Sequence, residues 1–207
     1  IAFGKRQAGD STLEKWRVFS AFKELLERSG PHLMVLDDLD RGDRGSVEMT
    51  DEQILVGLEV YREYYHDVGM FENNLYDGVP ELIKDLHSEG VTLSTATSKP
   101  EFSAARIIEH FGLREYFTFI GAADLSGTRD DKSAVIAHTL EHLKAGSQSH
   151  SIVMMGDRRH DVEGAREHGI DTIGVLWGYG SAKELSNAGA VALAERPRDA
   201  GDLLLSR

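Results

Sequence analysis

Ser151-Ile152-Val153-Met154-Met155-Gly156-Asp157-Arg158-Arg159-His160-Asp161 runs from an apolar stretch into a Gly-Asp turn and on to a second carboxylate. Residues 151–155 have the length and apolarity of a short buried strand. The turn hands the chain to a helix, and Asp157 and Asp161 stand on either side of that junction. Two carboxylates so placed can face one small space at the carboxyl end of a sheet, where parallel sheets bind their ligands. Like charges that close repel unless a cation lies between them, and hard oxygen ligands suit Mg²⁺. The same residues would also serve as an Asp-rich N-cap with a solvated helix face. The rest of the chain decides between these readings.

Outward from this junction, strand and helix alternate. Apolar residues at helical spacing (Val79, Leu82, Ile83, Leu86) predict a helix over 79–88, ended by Gly90. The β-branched run 91–96 predicts a strand leading into Thr97-Ser98-Lys99-Pro100. Further helices are expected over 101–111, 132–143, 161–168, 181–188 and 197–205, and further strands over 117–121 and 172–176. Such alternation implies an α/β fold of βαβ units, with a parallel sheet, right-handed crossovers and flanking helices.

Residues 12–72 read differently. They carry helical patterns over 13–28, 33–39 and 50–68 and little strand signal, and Thr50-Asp51-Glu52-Gln53 has the form of a capping box. The expected organisation is a small helical domain over 12–72, inserted in or preceding an α/β body over 73–207. Residues 1–11 would be a remnant of the first strand of that body.

The bulk numbers narrow the partners. With 207 residues, the chain can build one sizeable core or a core plus a small domain. Its 41% hydrophobic and 28% charged residues are those of an ordinary globular protein. A net charge of −12 argues against nucleic acid and anionic membrane as partners. A small phosphorylated metabolite stays open, given local positive charge or a metal. The absence of cysteine excludes disulfides, thiolate catalysis and Cys-ligated zinc. No apolar run approaches the ~20 residues of a membrane span. The first residues do not read as a signal peptide, so a cytoplasmic location is the expectation. Oligomeric state leaves no mark in the sequence.

Two more polar clusters fall at predicted strand ends. Thr97 and Ser98 offer hydroxyls and turn N–H groups that can bind a phosphoryl oxygen. They also suit an ordinary turn. Lys132 opens a helix against the helix dipole and so calls for a charge partner; by itself it reads as a surface lysine.

In this order Thr97, Lys132 and Asp157/Asp161 resemble the second, third and fourth motifs of the haloacid dehalogenase superfamily. Tyr76-Asp77-Gly78-Val79-Pro80, Ala96-Thr97-Ser98-Lys99-Pro100, His110-Phe111-Gly112-Leu113 and Gly174-Val175-Leu176-Trp177-Gly178-Tyr179-Gly180 look like phosphoglycolate phosphatases and bacterial 5′-nucleotidase-like phosphatases. The likeness covers roughly residues 30–205. It implies a Rossmann-like core, a helical cap, and Mg²⁺-dependent hydrolysis of phosphate monoesters. By the same resemblance Thr97, with Ser98, would bind the transferring phosphoryl group, and Lys132 would neutralise its charge. Asp157 would hold Mg²⁺, directly or through water, with Asp161 supporting the metal or orienting Lys132. Trp177 and Tyr179 would either line the rim of the site or pack beneath their loop.

The family pattern begins with D-x-D-G-[TV], which carries the nucleophile, and no clean copy exists here. Asp38 and Asp40, in Leu36-Asp37-Asp38-Leu39-Asp40-Arg41-Gly42, have the spacing without the following Gly-Thr. They also stand too close to Thr97 to leave room for a full cap. Gly30-Pro31-His32-Leu33 resembles a helix start inside that cap, which places this Asp pair on a cap helix. Alternatively Ile1-Ala2-Phe3 ends the first strand, and Gly4 and Arg6 then occupy the two carboxylate positions. Glycine has no nucleophile, and an arginine does not give up its proton. An altered or truncated N-terminus would read the same way. Two functions follow: a phosphatase whose nucleophile is unassigned, or a non-catalytic binder of phosphoesters and Mg²⁺.

Overall fold

The computed structural model describes residues 3–4, 64–129, 131–144 and 151–207. Asn73–Arg207 with Ile1–Gly4 forms one compact unit, and Lys5–Glu72 forms another. In the second unit the described part is a helical end at 64–67 followed by a 3₁₀ turn, Gly69–Phe71. There the Tyr64 hydroxyl donates to Glu72 Oε2 at 2.7 Å. Asp38, Asp40 and the helices expected over 13–28, 33–39 and most of 50–68 lie outside the described residues.

In the larger unit the expected alternation is present. Its elements, numbered among the described residues, are β1 (Phe3–Gly4), β2 (Asn74–Leu75), α1 (Val79–Ser88), β3 (Leu93–Pro100), α2 (Glu101–His110), β4 (Phe117–Ala123) and α3 (Lys132–His142). These are followed by β5 (Val153–Gly156), α4 (Arg159–Glu167), β6 (Asp171–Val175), α5 (Ala182–Ala188), β7 (Ala192–Ala194) and α6 (Pro197–Leu205). β3 pairs parallel with β4, and β5, β6 and β7 form a second parallel sheet in that order. Phe3–Gly4 pairs antiparallel with Asn74–Leu75. Among the described residues no helix is long and apolar enough to cross a membrane.

α1 ties the two parallel sheets together through its side-chain periodicity. Val79 and Ile83, one turn apart, join the cluster of Ile108, Leu113, Phe117 and Ile120 over β3–β4. Leu82 and Leu86, on the neighbouring stripe, join Ile173, Ala194 and Ala200 over the other sheet. Leu93 and Trp177 pack against both clusters. A third cluster joins Ile136 of α3 and Ala165 of α4 with Ala96 and Met154, which approach the ends of β3 and β5. The carboxyl ends of the two sheets are thereby held beside each other by packing of α3 and α4.

Two details depart from the sequence reading. β7 was not foreseen, because Ala192-Leu193-Ala194 is short and lacks β-branched residues. It exists through its ladder with β6, supplemented by Leu176 N–H donating to Ala194 O at 2.9 Å. β3 also runs through Thr97 to Pro100 rather than turning there, with a register shift between Thr97 and Pro100. An irregularity of this kind re-aims side chains at a strand end.

Thr172, on β6, is buried, and its hydroxyl has no partner among the described residues. An orphaned buried hydroxyl costs stability that an apolar group of the same shape does not. Thr172→Val should therefore raise unfolding stability by about 1 kcal/mol. Urea denaturation is the measurement, and a loss of stability would show that the hydroxyl is satisfied.

Candidate functional site

The charge partner that Lys132 needs is Asp161. Lys132 is the first residue of α3, whose N-cap, Asp131, accepts the Ala134 N–H at 2.7 Å. Its Nζ lies 3.0 Å from Asp161 Oδ1, and both side chains are nearly buried, at 13% and 11% exposure. The same Nζ donates to the Ala96 carbonyl at 2.6 Å. One ammonium thus links β3, at the residue preceding Thr97, to the first turn of α4.

Asp161 does a second job with its other oxygen. Oδ2 accepts the backbone N–H groups of Asp157 and Arg158, both at 3.1 Å. This is the reciprocal half of a capping box, and it fixes the turn that carries Asp157. The glycines around these residues make the approach possible. At Gly156 a Cβ would overlap the Asp161 side chain, and at Gly164 it would come within 2.8 Å of Lys132 Cγ. At Gly178 a Cβ would overlap the Asp157 carboxylate, and at Gly180 the Asp157 carbonyl oxygen.

Asp157 is held from the opposite side. Its Oδ2 accepts the Tyr179 N–H at 2.7 Å, and no donor is recorded on Oδ1 among the described residues. The two carboxylates therefore differ. Asp161 is fully engaged by a lysine and two amides, whereas Asp157 keeps one oxygen for a ligand. Mg²⁺ commonly binds through one or two carboxylates while retaining water and taking phosphate oxygens. Asp157 fits such a role, and Asp161 fits that of an orienting group. No set of three or more acidic or histidine side chains that could hold a metal occurs among the described residues.

Thr97 lies at the register shift of β3, and its Oγ1 accepts the Lys99 N–H at 3.2 Å. Accepting there leaves the hydroxyl proton to donate elsewhere. Ser98 is exposed, and so are Arg158, Arg159 and His160. Arg158 pairs with Glu184 at 3.1 Å. Of the two aromatic rim candidates, Trp177 packs into the core, while Tyr179 is 55% exposed above Asp157. What the sequence did not reveal was the part played by the Ala96 carbonyl and by Gly164. Backbone acceptors carry no sequence signal, and a mid-helix glycine was the one available hint.

The loop between β4 and Lys132 is closed by Asp124. Its carboxylate accepts the Thr128 hydroxyl and N–H and the Arg129 N–H. Arg129 lies within 3.8 Å of Asp124 and 3.2 Å of Glu101, and shares a 3.0 Å hydrogen bond with His138. The Thr128 hydrogen bond leads the set that holds the Asp124 carboxyl down to about 2, with the Ser126 hydroxyl, the Arg129 amide and the Arg129 charge adding to it against burial.

Residues 18–175 match the family described as haloacid dehalogenase-like hydrolase. The tyrosine-protein kinase PtkA of Mycobacterium tuberculosis (strain ATCC 25618 / H37Rv) is 44% identical over 138 residues, which are 67% of this chain and 45% of that protein. A 5′-nucleotidase of Pseudomonas aeruginosa is 42% identical over 125 residues, 60% of this chain and 56% of the relative. The chain thus spans about half the length of these curated relatives. Further relatives carry the name phosphoglycolate phosphatase. Among solved structures, a predicted phosphatase from Clostridium acetobutylicum superposes with a TM-score of 0.70 at 37% identity, covering 77% of this chain and 73% of that one.

Removing one partner of a nearly buried pair strands the other charge. Asp161→Asn should cost about 3 kcal/mol of stability, and Lys132→Met in the same chain should restore part of it. A double-mutant cycle by denaturation tests this, and strict additivity would show that the pair is not coupled. A second expectation concerns acid. Asp124 is depressed to about 2 from an ordinary 3.8, so the stability it confers is present above 3.8 and is lost as pH falls through 2. The Thr128 amide resonance should titrate with a midpoint near 2, and a midpoint at or above 3.8 would dismiss the contact.

Proposed function

The chain belongs to the haloacid dehalogenase-like hydrolases, and on that premise we propose that it is a Mg²⁺-dependent phosphatase of small phosphorylated metabolites. The observation that supports this most directly is the meeting of Lys132 Nζ with the Ala96 carbonyl, next in the chain to Thr97, and with Asp161 Oδ1, whose other oxygen accepts the Asp157 N–H. Phosphoryl transfer demands positioning and charge neutralisation more than covalent chemistry by the protein.

The roles follow from the contacts. Thr97 donates its hydroxyl proton to a phosphoryl oxygen, with Ser98 and the turn amides beside it. Lys132, held by Asp161, places a fixed positive charge against the phosphoryl group. Asp157 presents Oδ1 to Mg²⁺, which would supply electrophilic stabilisation of the phosphate oxygens. Asp161 is a positioning residue that acts through Lys132 and the 156–158 turn. The nucleophile stays with the candidates Asp38 and Asp40.

A second reading is a non-catalytic binder of phosphoesters and Mg²⁺, favoured by the missing D-x-D-G-[TV] motif. The two readings separate cleanly. An active protein releases phosphate from p-nitrophenyl phosphate only with Mg²⁺, and Asp157→Asn abolishes release. Thermal stabilisation by phosphate plus Mg²⁺ without turnover selects the binder. Neither turnover nor stabilisation would end both.

A further inference from the structure

Arg129 lies where three elements meet. It stands in the loop that leaves β4, just before Lys132 opens α3. One terminal nitrogen donates to Glu101 Oε2 at 3.2 Å, and Glu101 is the first residue of α2, directly after the strand that carries Thr97. The other terminal nitrogen is 3.0 Å from Nε2 of His138, on the same helix as Lys132. Its Nε lies 3.8 Å from Asp124 Oδ2 and makes no hydrogen bond among the described residues. One guanidinium, on a side chain only 20% exposed, thus spans the Thr97 segment, the loop before Lys132 and α3.

The contact with His138 constrains where a proton can sit. A guanidinium donates and cannot accept. His138 Nε2 must therefore offer its lone pair, which leaves the ring neutral with its proton on Nδ1. Protonation of Nε2 would set donor against donor and cation against cation. The surroundings press the same way. Phe119 of β4 stands edge-on to the ring, with centroids 5.6 Å apart, and His142, stacked on Phe119 at 4.1 Å, has its centroid 4.3 Å away. Burial leads in holding the His138 pKa below its ordinary 6.5, followed by the charges of Arg129 and His142, against Glu101 and Glu141. The neutral, latched form is therefore complete above 6.5 and is lost as pH falls through the lowered value. Asp124, held at about 2, keeps its charge throughout and offers the freed guanidinium another seat.

We propose that Arg129 is a positioning residue that aligns the Thr97 segment with the start of α3, and that its hydrogen bond to neutral His138 is a latch released by weak acid. This rests on the proposed phosphoryl-binding role of Thr97 and Lys132, and it adds a control on that site. Above the histidine range the latch is closed and the two segments are held together. Below it the guanidinium leaves His138 for the carboxylates of Asp124 and Glu101, and the loop before Lys132 loses its tie to α3. Couplings between sites are commonly worth about fivefold or more in affinity.

The test uses the full chain and sulfate with Mg²⁺, because sulfate keeps its double charge across the histidine range and phosphate does not. Calorimetry at about pH 8 and about pH 5.5, on either side of that range, should show sulfate binding about fivefold weaker in acid. His138→Gln keeps an acceptor that does not titrate and should abolish this drop. Equal drops in the two proteins would overturn the link to the site. Histidine ¹⁵N NMR of the unaltered chain reads the latch directly. The expected result is a proton on Nδ1 and a bare Nε2 in neutral solution, titration below 6.5, and Thr97 and Lys132 amides that move on the same curve. A proton on Nε2 in neutral solution, a midpoint at or above 6.5, or amides that stay still would overturn the proposal, even where the variant fails to fold. If sulfate binds at neither pH, the proposed function fails and the amides alone decide the latch: shared titration sustains it, and silence overturns it.

Discussion

The ammonium of Lys132, shared between Asp161 Oδ1 and the Ala96 carbonyl, joins the first turn of α4 to β3, across two sheets that no described ladder connects. Two nearly buried charges lose much hydration, and such a pair is maintained only when its remaining hydrogen-bonding capacity is met. Here it is met locally. Asp161 gives its second oxygen to two backbone amides of the turn before α4, and Asp131 caps the helix that Lys132 begins. The contact adds to the apolar packing of Ile136 against Ala165 in holding α3 to α4, and the other oxygen of Asp161 holds the 156–158 turn that carries Asp157.

Small residues let this contact form. Gly156 admits Asp161, Gly164 admits the stem of Lys132, and Gly178 with Gly180 admits Asp157. These glycines are required for the space they leave rather than for unusual backbone angles, since none of them has a positive φ. The site is built as a close approach of backbone to charged side chain, and its precision comes from sterics as much as from charge. The aliphatic cluster of Ile136, Ala165, Ile170 and Met154 beneath it supplies the rigid floor.

Much of this was legible beforehand, for identifiable reasons. The strand–turn–helix at 151–161 combines an apolar run, a Gly-Asp turn and a helical period, and all three point the same way. The spacing of Val79, Leu82, Ile83 and Leu86 gave the bounds of α1, though not that its two stripes serve two different sheets. The demand for a partner at Lys132 was readable from helix electrostatics. Its identity, Asp161, needed the fold, because the two residues come from separate βα units. The extension of β3 through Pro100 and the existence of β7 were hidden, since both depend on pairing with neighbours rather than on local propensity. The division of labour between Asp157 and Asp161 was equally hidden, because it rests on which oxygen meets which amide.

Trp177 has a consequence of its own. Its indole wedges between the aliphatic layers of both halves, and the next residue, Gly178, fits around the Asp157 carboxylate. Sliding of one half over the other would change the polarity around the indole while it shifted Asp157. The protein contains only two tryptophans, so emission from this one reports on the packing between the two sheets.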